Sequence, residues 1–223
     1  MRQSLFALAA IAATLAASAV QAAPAAYAID PTHTFATFEI SHFGASVNRG
    51  RFDKKEGTVQ FDKAGKSGKV DITFDVASVN TGTAAFDKHL QSADIFDVAK
   101  HPTAKFVSDK FHFEGDKVKS VEGQLTLLGK TQPVTLKANQ FACYDSPMLK
   151  REVCGGDFEA TIDRTAFGLN YGVDWGLPEE RAPGGADRGR QAISAFARFP
   201  APASPTGLAF FMPAGSKNFF KVN

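Results

Sequence analysis

The stretch KVDITFDVASV (69–79) alternates without a fault, and that alternation constrains the fold more than any other feature of the chain. Val70, Ile72, Phe74 and Val76 fall on one face, and Asp71, Thr73 and Asp75 on the other. A period of two belongs to a β-strand with one dry and one wet face. The pattern recurs. TFATFEISH aligns Ala36, Phe38, Ile40 and His42, and SVEGQLTLLG aligns Val121, Gly123, Leu125 and Leu127. PVTLKA aligns Val134, Leu136 and Ala138, and DFEATIDR aligns Phe158, Ala160 and Ile162. Turn-forming segments such as DKAGKSGK and FEGDK separate the runs. Short strands with polar turns argue an antiparallel barrel or sandwich. No sequence repeat points to a solenoid or propeller.

One segment breaks the pattern. NTGTAAFDKHLQSADIFDVAKHP (80–102) has no alternation, and its spacing predicts a short helix over Thr83–Gln91. Phe86 and Leu90 lie one turn apart on one face, and Ile95 and Phe96 follow as a second apolar pair. Such a segment either covers a barrel mouth or packs outside as a crossover.

The first residues have the order of a secretory signal peptide: Arg2, an uncharged Ala-rich run, then small residues ending at Ala22. Residues 1–22 are therefore expected to be removed on export to the periplasm. The apolar run is too short for a convincing membrane span, and no span is expected after processing. The formal charge of +2 is nearly balanced, with Lys and Asp interspersed, so there is no footprint for nucleic acid. Phe is over-used, at 21 residues against one Trp. Phe carries no polar handle and must enter a core, a cavity or an interface. The two cysteines, Cys143 and Cys154, are close in sequence. In an oxidising compartment such a pair is expected to form a disulfide.

Catalytic signatures are missing from the sequence. The histidines form no HExxH pair, no Cys/His cluster accompanies them, and there is no GxSxG elbow, P-loop or GxGxxG. No catalytic residue, metal ligand or resident cofactor is therefore assigned, and the expectation is a binder. The rival reading is a hydrolase or metal-dependent enzyme using Asp87, His89 and Asp94 in FDKHLQSAD. A secreted module that meets a partner protein is a third.

Four ordered motifs spanning Tyr27 to Gly172 resemble the YceI-like family. They are YAIDPTHTFATFEISHFGASVNRGRF, SVNTGTAAFDKHLQSADIFDVAKHPTAKF, VEGQLTLLGKTQPVTL and IDRTAFGLNYG. Phe86 departs from the Arg that the family commonly places there, so a polar contact by that Arg is not carried over. The resemblance implies an all-β, lipocalin-like antiparallel barrel, with the short helix over one mouth and an apolar tunnel for polyisoprenoids, quinones or other long amphiphiles. The expected partner is such a lipid, a polyprenyl quinone or polyprenyl phosphate, with a homodimer left open. Candidate wall residues are Phe38, Ile40, Phe74, Val76, Phe106, Leu125, Leu127, Phe158 and Ile162. Candidate mouth residues for a head group are His42, Asp87, His89 and Arg164.

The barrel domain is expected over residues 23–180, because from Arg181 the patterning fails. RAPGGADRGRQ, PAPASPTG and GLAFFMPAGSKNFFKVN show no strand signal, so residues 181–223 read as an unpatterned, disordered tail lacking the family's last strand. A one-base shift across Glu180–Ser194 can be written, with chosen synonymous codons, to encode an alternating strand and a stop. The tail is accordingly read either as a frameshifted closing strand or as a natural extension.

Overall fold

The computed structural model describes residues 24–177 and the backbone of 191–198. Strands β1 (Ala25–Ile29) and β2 (Phe35–His42) run on from one another across a corner. The corner is built on Asp30. Its buried carboxylate accepts from the Thr32 backbone N–H at 3.0 Å and the Thr32 hydroxyl at 2.6 Å, and pairs with His33 Nδ1 at 2.6 Å. The Tyr-x-Ile-Asp-x-x-His opening is therefore a bend in the first stave of the sheet. Strands β3 (Ser46–Phe52) and β4 (Lys55–Asp62) follow the same course back, β3 pairing with β2 and β4 with β1. Next come β5 (Ser67–Asp75), a 3₁₀ turn (Val76–Ser78), the short β6 (Val79–Asn80) and helix α1 (Ala84–Leu90). Four long strands complete the up-and-down course: β7 (Thr103–Glu114), β8 (Lys117–Leu127), β9 (Lys130–Ser146) and β10 (Arg151–Ala160).

The sheet closes through a strand that the sequence reading did not find. β11 (Gln191–Arg198) pairs antiparallel with β10 along its full length. Its other edge pairs with β2 through Gln191–Ser194 and with β1 through Ala197 and Arg198. The ring is thus β1–β4–β5–β7–β8–β9–β10–β11 and back to β1. This corrects the expectation of a domain ending at residue 180 before a strandless tail. QAISAFAR is short and Ala-rich, with little β propensity of its own. Two unpaired edges nevertheless offer it hydrogen-bond partners on both sides. A closing strand is present in the chain as it stands. The proposed signal peptide, residues 178–190 and residues 199–223 lie outside the described residues.

Two of the sheet's three register slips decide which side chains of β7 and β9 face the lumen. Between Val107 and Lys110 the register of β7 on β8 slips, and the buried positions change from Ala104, Phe106 and Ser108 to the odd-numbered Phe111 and Phe113. The Ser108 hydroxyl stitches this bulge, donating to the Glu122 carbonyl at 2.6 Å and accepting from the Lys110 N–H at 3.0 Å. On β9 a second slip, opposite Asp157/Phe158, changes the inward set from Val134, Leu136 and Ala138 to Phe141 and Cys143. Each extra residue shifts the alternation by one and flips the faces.

Below the bulges the lumen is solid. The Phe61 ring meets Phe141 at 5.2 Å between centroids, Phe113 at 6.1 Å and Phe111 at 6.4 Å, and Phe141 reaches Phe158 at 6.3 Å. Beneath the rings, Cys143 and Cys154 face each other across β9 and β10 and are joined by a disulfide. The Tyr27 hydroxyl lies 3.5 Å from Cys154 Sγ and donates to Glu152 Oε1 at 2.7 Å. Burial, and then the Glu152 carboxylate, push this hydroxyl well above the ordinary tyrosine range, so it keeps its proton and its bond.

The disulfide sits in the packed half, so its loss is expected to act on stability alone. Thiol labelling of native, non-reduced protein should find neither cysteine. Replacing both with Ala should lower unfolding free energy by about 2–3 kcal/mol in the chain-entropy account. Ligand uptake by the folded variant should stay at the wild-type level, as read by a binding titration beside a denaturant melt.

Candidate functional site

Above the bulges the lumen is open. It forms a cavity of about 770 Å³, within the size range of sites that enclose a small organic ligand. Its walls come from β2, β3, β5 and β7 to β10. Phe38 and Ile40 project from β2, Phe52 from β3, Phe74 from β5 and Phe106 from β7. Leu125 and Leu127 project from β8, Val134 and Leu136 from β9, and Ala160 from β10, with Ile162 just beyond it. One wall is aromatic: Phe38, Phe52 and Phe96 meet at 5.8, 5.7 and 6.1 Å between centroids, and Phe52 continues to Phe74 at 6.4 Å.

Glycines make room for these rings. Phe38 lies over Gly50, its cross-strand partner, where an added Cβ would run into the ring. Phe106 lies over Gly123 in the same way, and there a Cβ would also come within 2.5 Å of the Val107 carbonyl oxygen. Two of the wall's phenylalanines thus occupy the space that glycines leave on the neighbouring strand.

The mouth is covered, not merely adjoined, by the helical segment: Phe86, His89 and Leu90 of α1 line the cavity, as do Ile95 and Phe96. Backbone bonds from Phe96 N–H to the Leu90 carbonyl (3.0 Å) and from Asp97 N–H to the Ser92 carbonyl (2.8 Å) fold this second pair back beside the helix. The opposite lip is residues 163–177. Arg164 organises it, its guanidinium donating to the carbonyls of Leu169 at 2.6 Å and Tyr171 at 2.9 Å. Leu169, Tyr171 and Leu177 are thereby presented to the cavity. The two lips touch where His89 stands edge-on to Tyr171 at 5.1 Å. On the third side His42 stacks edge-on against Phe43 at 4.9 Å, and both line the opening.

Of the residues singled out from sequence, Phe38, Ile40, His42, Phe74, His89, Phe106, Leu125, Leu127, Ile162 and Arg164 all border the cavity. Three do not. Val76 keeps the inward phase of β5 but lies in the 3₁₀ turn, fully buried in the core. Phe158 sits below the cavity against Phe141. Asp87 is turned back on its own loop, accepting from the Thr81 backbone N–H at 2.7 Å and the Thr81 hydroxyl at 2.6 Å. It anchors the start of α1 and is not a mouth residue. Arg164 is at the mouth, but its bonds run to the lip's own carbonyls. Among the described residues, Asp87, His89 and Asp94 of the rival grouping do not come together within metal-ligating reach of one another. The described group that does, Cys143, Glu152 and Cys154, has both sulfurs in the disulfide and its carboxylate bonded by Tyr27.

Two sets of the lining residues that sequence reasoning missed are instructive. Val134, Leu136 and Ala160 lay on recognised strand faces and could have been chosen from the alternation. Leu169, Tyr171 and Leu177 come from a loop of 3₁₀ turns with no periodicity, whose course the Arg164 fork helps to fix.

Comparison with known proteins agrees with this architecture. A family model described as a YceI-like domain matches residues 27–183. A UPF0312 protein of Pseudomonas savastanoi is 44% identical over 141 residues, 62% of this chain and 72% of the relative. A UPF0312 protein of Pseudomonas aeruginosa is 41% identical over 155 residues, 68% of this chain and 80% of the relative. Among solved structures, Burkholderia cenocepacia BcnA superposes with a TM-score of 0.56 at 24% identity, covering 76% of this chain and 99% of that one. A polyisoprenoid binding domain from Saccharophagus degradans, implicated in plant cell wall breakdown, gives 0.56 at 17% identity, covering 79% and 99%. At these identities the structures establish the fold.

The ring-over-glycine arrangement separates two substitutions. Gly123→Ala sets a methyl against backbone as well as ring and should destabilise the barrel by about 1–3 kcal/mol in a denaturant melt. Gly50→Ala meets only side chains, chiefly the tip of Phe38. It should cost less stability and push that ring into the cavity, visible as shifted Phe38 resonances.

Proposed function

The chain belongs to the YceI-like family, and on that premise we propose that it is a periplasmic carrier or sequestering protein for a long-chain isoprenoid or quinone-type amphiphile. The observation that carries the reading is the cavity: a lumen of about 770 Å³ walled mainly by phenyl rings and aliphatic side chains, whose few titratable lining residues include His42 and His89 at the opening. Each methylene-sized unit moved from water into such a wall contributes about 0.8 kcal/mol, so shape and greasiness suffice for affinity. The imidazoles of His42 and His89 stand at the opening and can donate to a quinone or phosphate oxygen. The polyisoprenoid-binding relative supports the ligand class. The leader-like residues 1–22 support the compartment, and no helix among the described residues is long and apolar enough to cross a membrane. The ligand would be a polyprenyl quinone or polyprenyl phosphate, and the chemistry requires no resident cofactor.

Organic extraction of purified protein followed by mass spectrometry should release a prenyl-type lipid. Stripped protein should take up a prenyl quinone at one per chain. A protein that carries nothing and takes up nothing would sink the reading. Within the wall, Phe38→Leu and Phe74→Leu should each weaken binding severalfold with the fold retained. Phe158→Leu, below the cavity, should leave affinity nearly unchanged. Equal affinities for all three would show that this face is not the binding surface.

A further inference from the structure

We propose that the cross-barrel contact between Phe61 and Phe141 is a floor that limits how much of a prenyl chain the protein can enclose; the inference rests on the binding function proposed above. Phe61 belongs to β4 and Phe141 to β9, which stand second and sixth in the ring β1–β4–β5–β7–β8–β9–β10–β11 and so face each other across the lumen. Their centroids are nonetheless only 5.2 Å apart. Rings from opposite staves that meet in van der Waals contact leave no passage between them. Phe111 and Phe113 from β7 fill one side of the contact, and Phe158 from β10 backs Phe141 on the other. None of these five residues lines the cavity, which ends above them at Phe74, Phe106 and Leu136.

The two bulges make this floor. Without the extra residue in β9, the inward phase of Val134, Leu136 and Ala138 would continue to Gln140 and Ala142, and Phe141 would point outward. The slip in β7 likewise turns Phe111 and Phe113 inward. The barrel thus becomes a cup instead of a tube. The cup has a definite capacity. If each chain atom takes about the share of a liquid water, roughly 30 Å³, a cavity of about 770 Å³ encloses on the order of 25 atoms, or about five prenyl units. Longer chains must leave their excess outside the mouth, where it gains no burial.

The test is a chain-length ladder. Full-length protein stripped of lipid is titrated with prenyl alcohols of two to eight units. Wild-type affinity should rise by roughly tenfold or more per added unit while the cup fills, and then level off near five units. Phe141→Ala, confirmed as folded by its melt, should move the plateau one or two units longer while leaving short-chain affinity at the wild-type value. Phe141→Leu, which risks less stability, should move it in the same direction by less. A wild-type affinity that climbs through eight units overturns the proposal, as does a plateau unmoved in both folded variants. A wild-type protein that binds no prenyl alcohol of any length would instead bring down the binding function itself.

Discussion

A sheet that closes on itself acquires an inside, and whatever meets across that inside settles whether the molecule is a solid core or a container. Here the decisive meeting is between Phe61 and Phe141, rings from opposite staves that touch in mid-lumen. Everything on the far side of them is packed, pinned by a disulfide and by a tyrosine–glutamate hydrogen bond. The cavity lies on the near side. One barrel therefore carries two interiors of opposite character, separated by a change of alternation that single extra residues in β7 and β9 bring about.

The division has an energetic logic. Walls around an unfilled space lose the dispersion contacts that a packed interior gains. The half that holds ligand is thus a poor source of stability when empty, and the packed half must hold the ring together. It does so with a cluster of aromatic contacts below the cavity and a covalent cross-link between adjacent strands. A ligand that fills the open half binds the folded chain and not the unfolded one, and so adds stability by mass action. Binding and folding are coupled through the upper half and nearly independent in the lower.

Much of this was legible in the alternation. Val70, Ile72 and Phe74 reveal their shared face at sight, and every one of them is buried. The same reading located Phe38, Ile40, Leu125 and Leu127 on the wall. It misplaced Phe158, because a strand face says which side is inward and nothing about how far along the axis a residue sits. It misjudged Asp87 because a carboxylate beside a histidine looks like chemistry in one dimension, whereas in three it is spent on Thr81. It missed β11 because a closing strand receives its partners from both neighbours and needs little propensity of its own. The bulges left a trace that alternation counting could have caught: the apolar phase of β9 shifts between Ala138 and Phe141, where a regular strand would have kept it.

The polar pattern at the mouth follows from the same geometry. α1 and residues 163–177 lack ladder partners, so their backbone groups must be satisfied locally. Asp87 satisfies the start of the helical segment, and Arg164 satisfies the carbonyls of the opposite lip. Both residues look like ligand-binding groups in the sequence, and both are committed to holding the rim in shape. On the proposed function, the head group of an amphiphile would be left to the imidazoles of His42 and His89, whose contacts at the opening are with aromatic rings. An amphiphile is met by few strong polar contacts at its head and many weak apolar ones along its tail. On the proposed function, the depth of the cup, more than the chemistry of the rim, would discriminate one prenyl lipid from another.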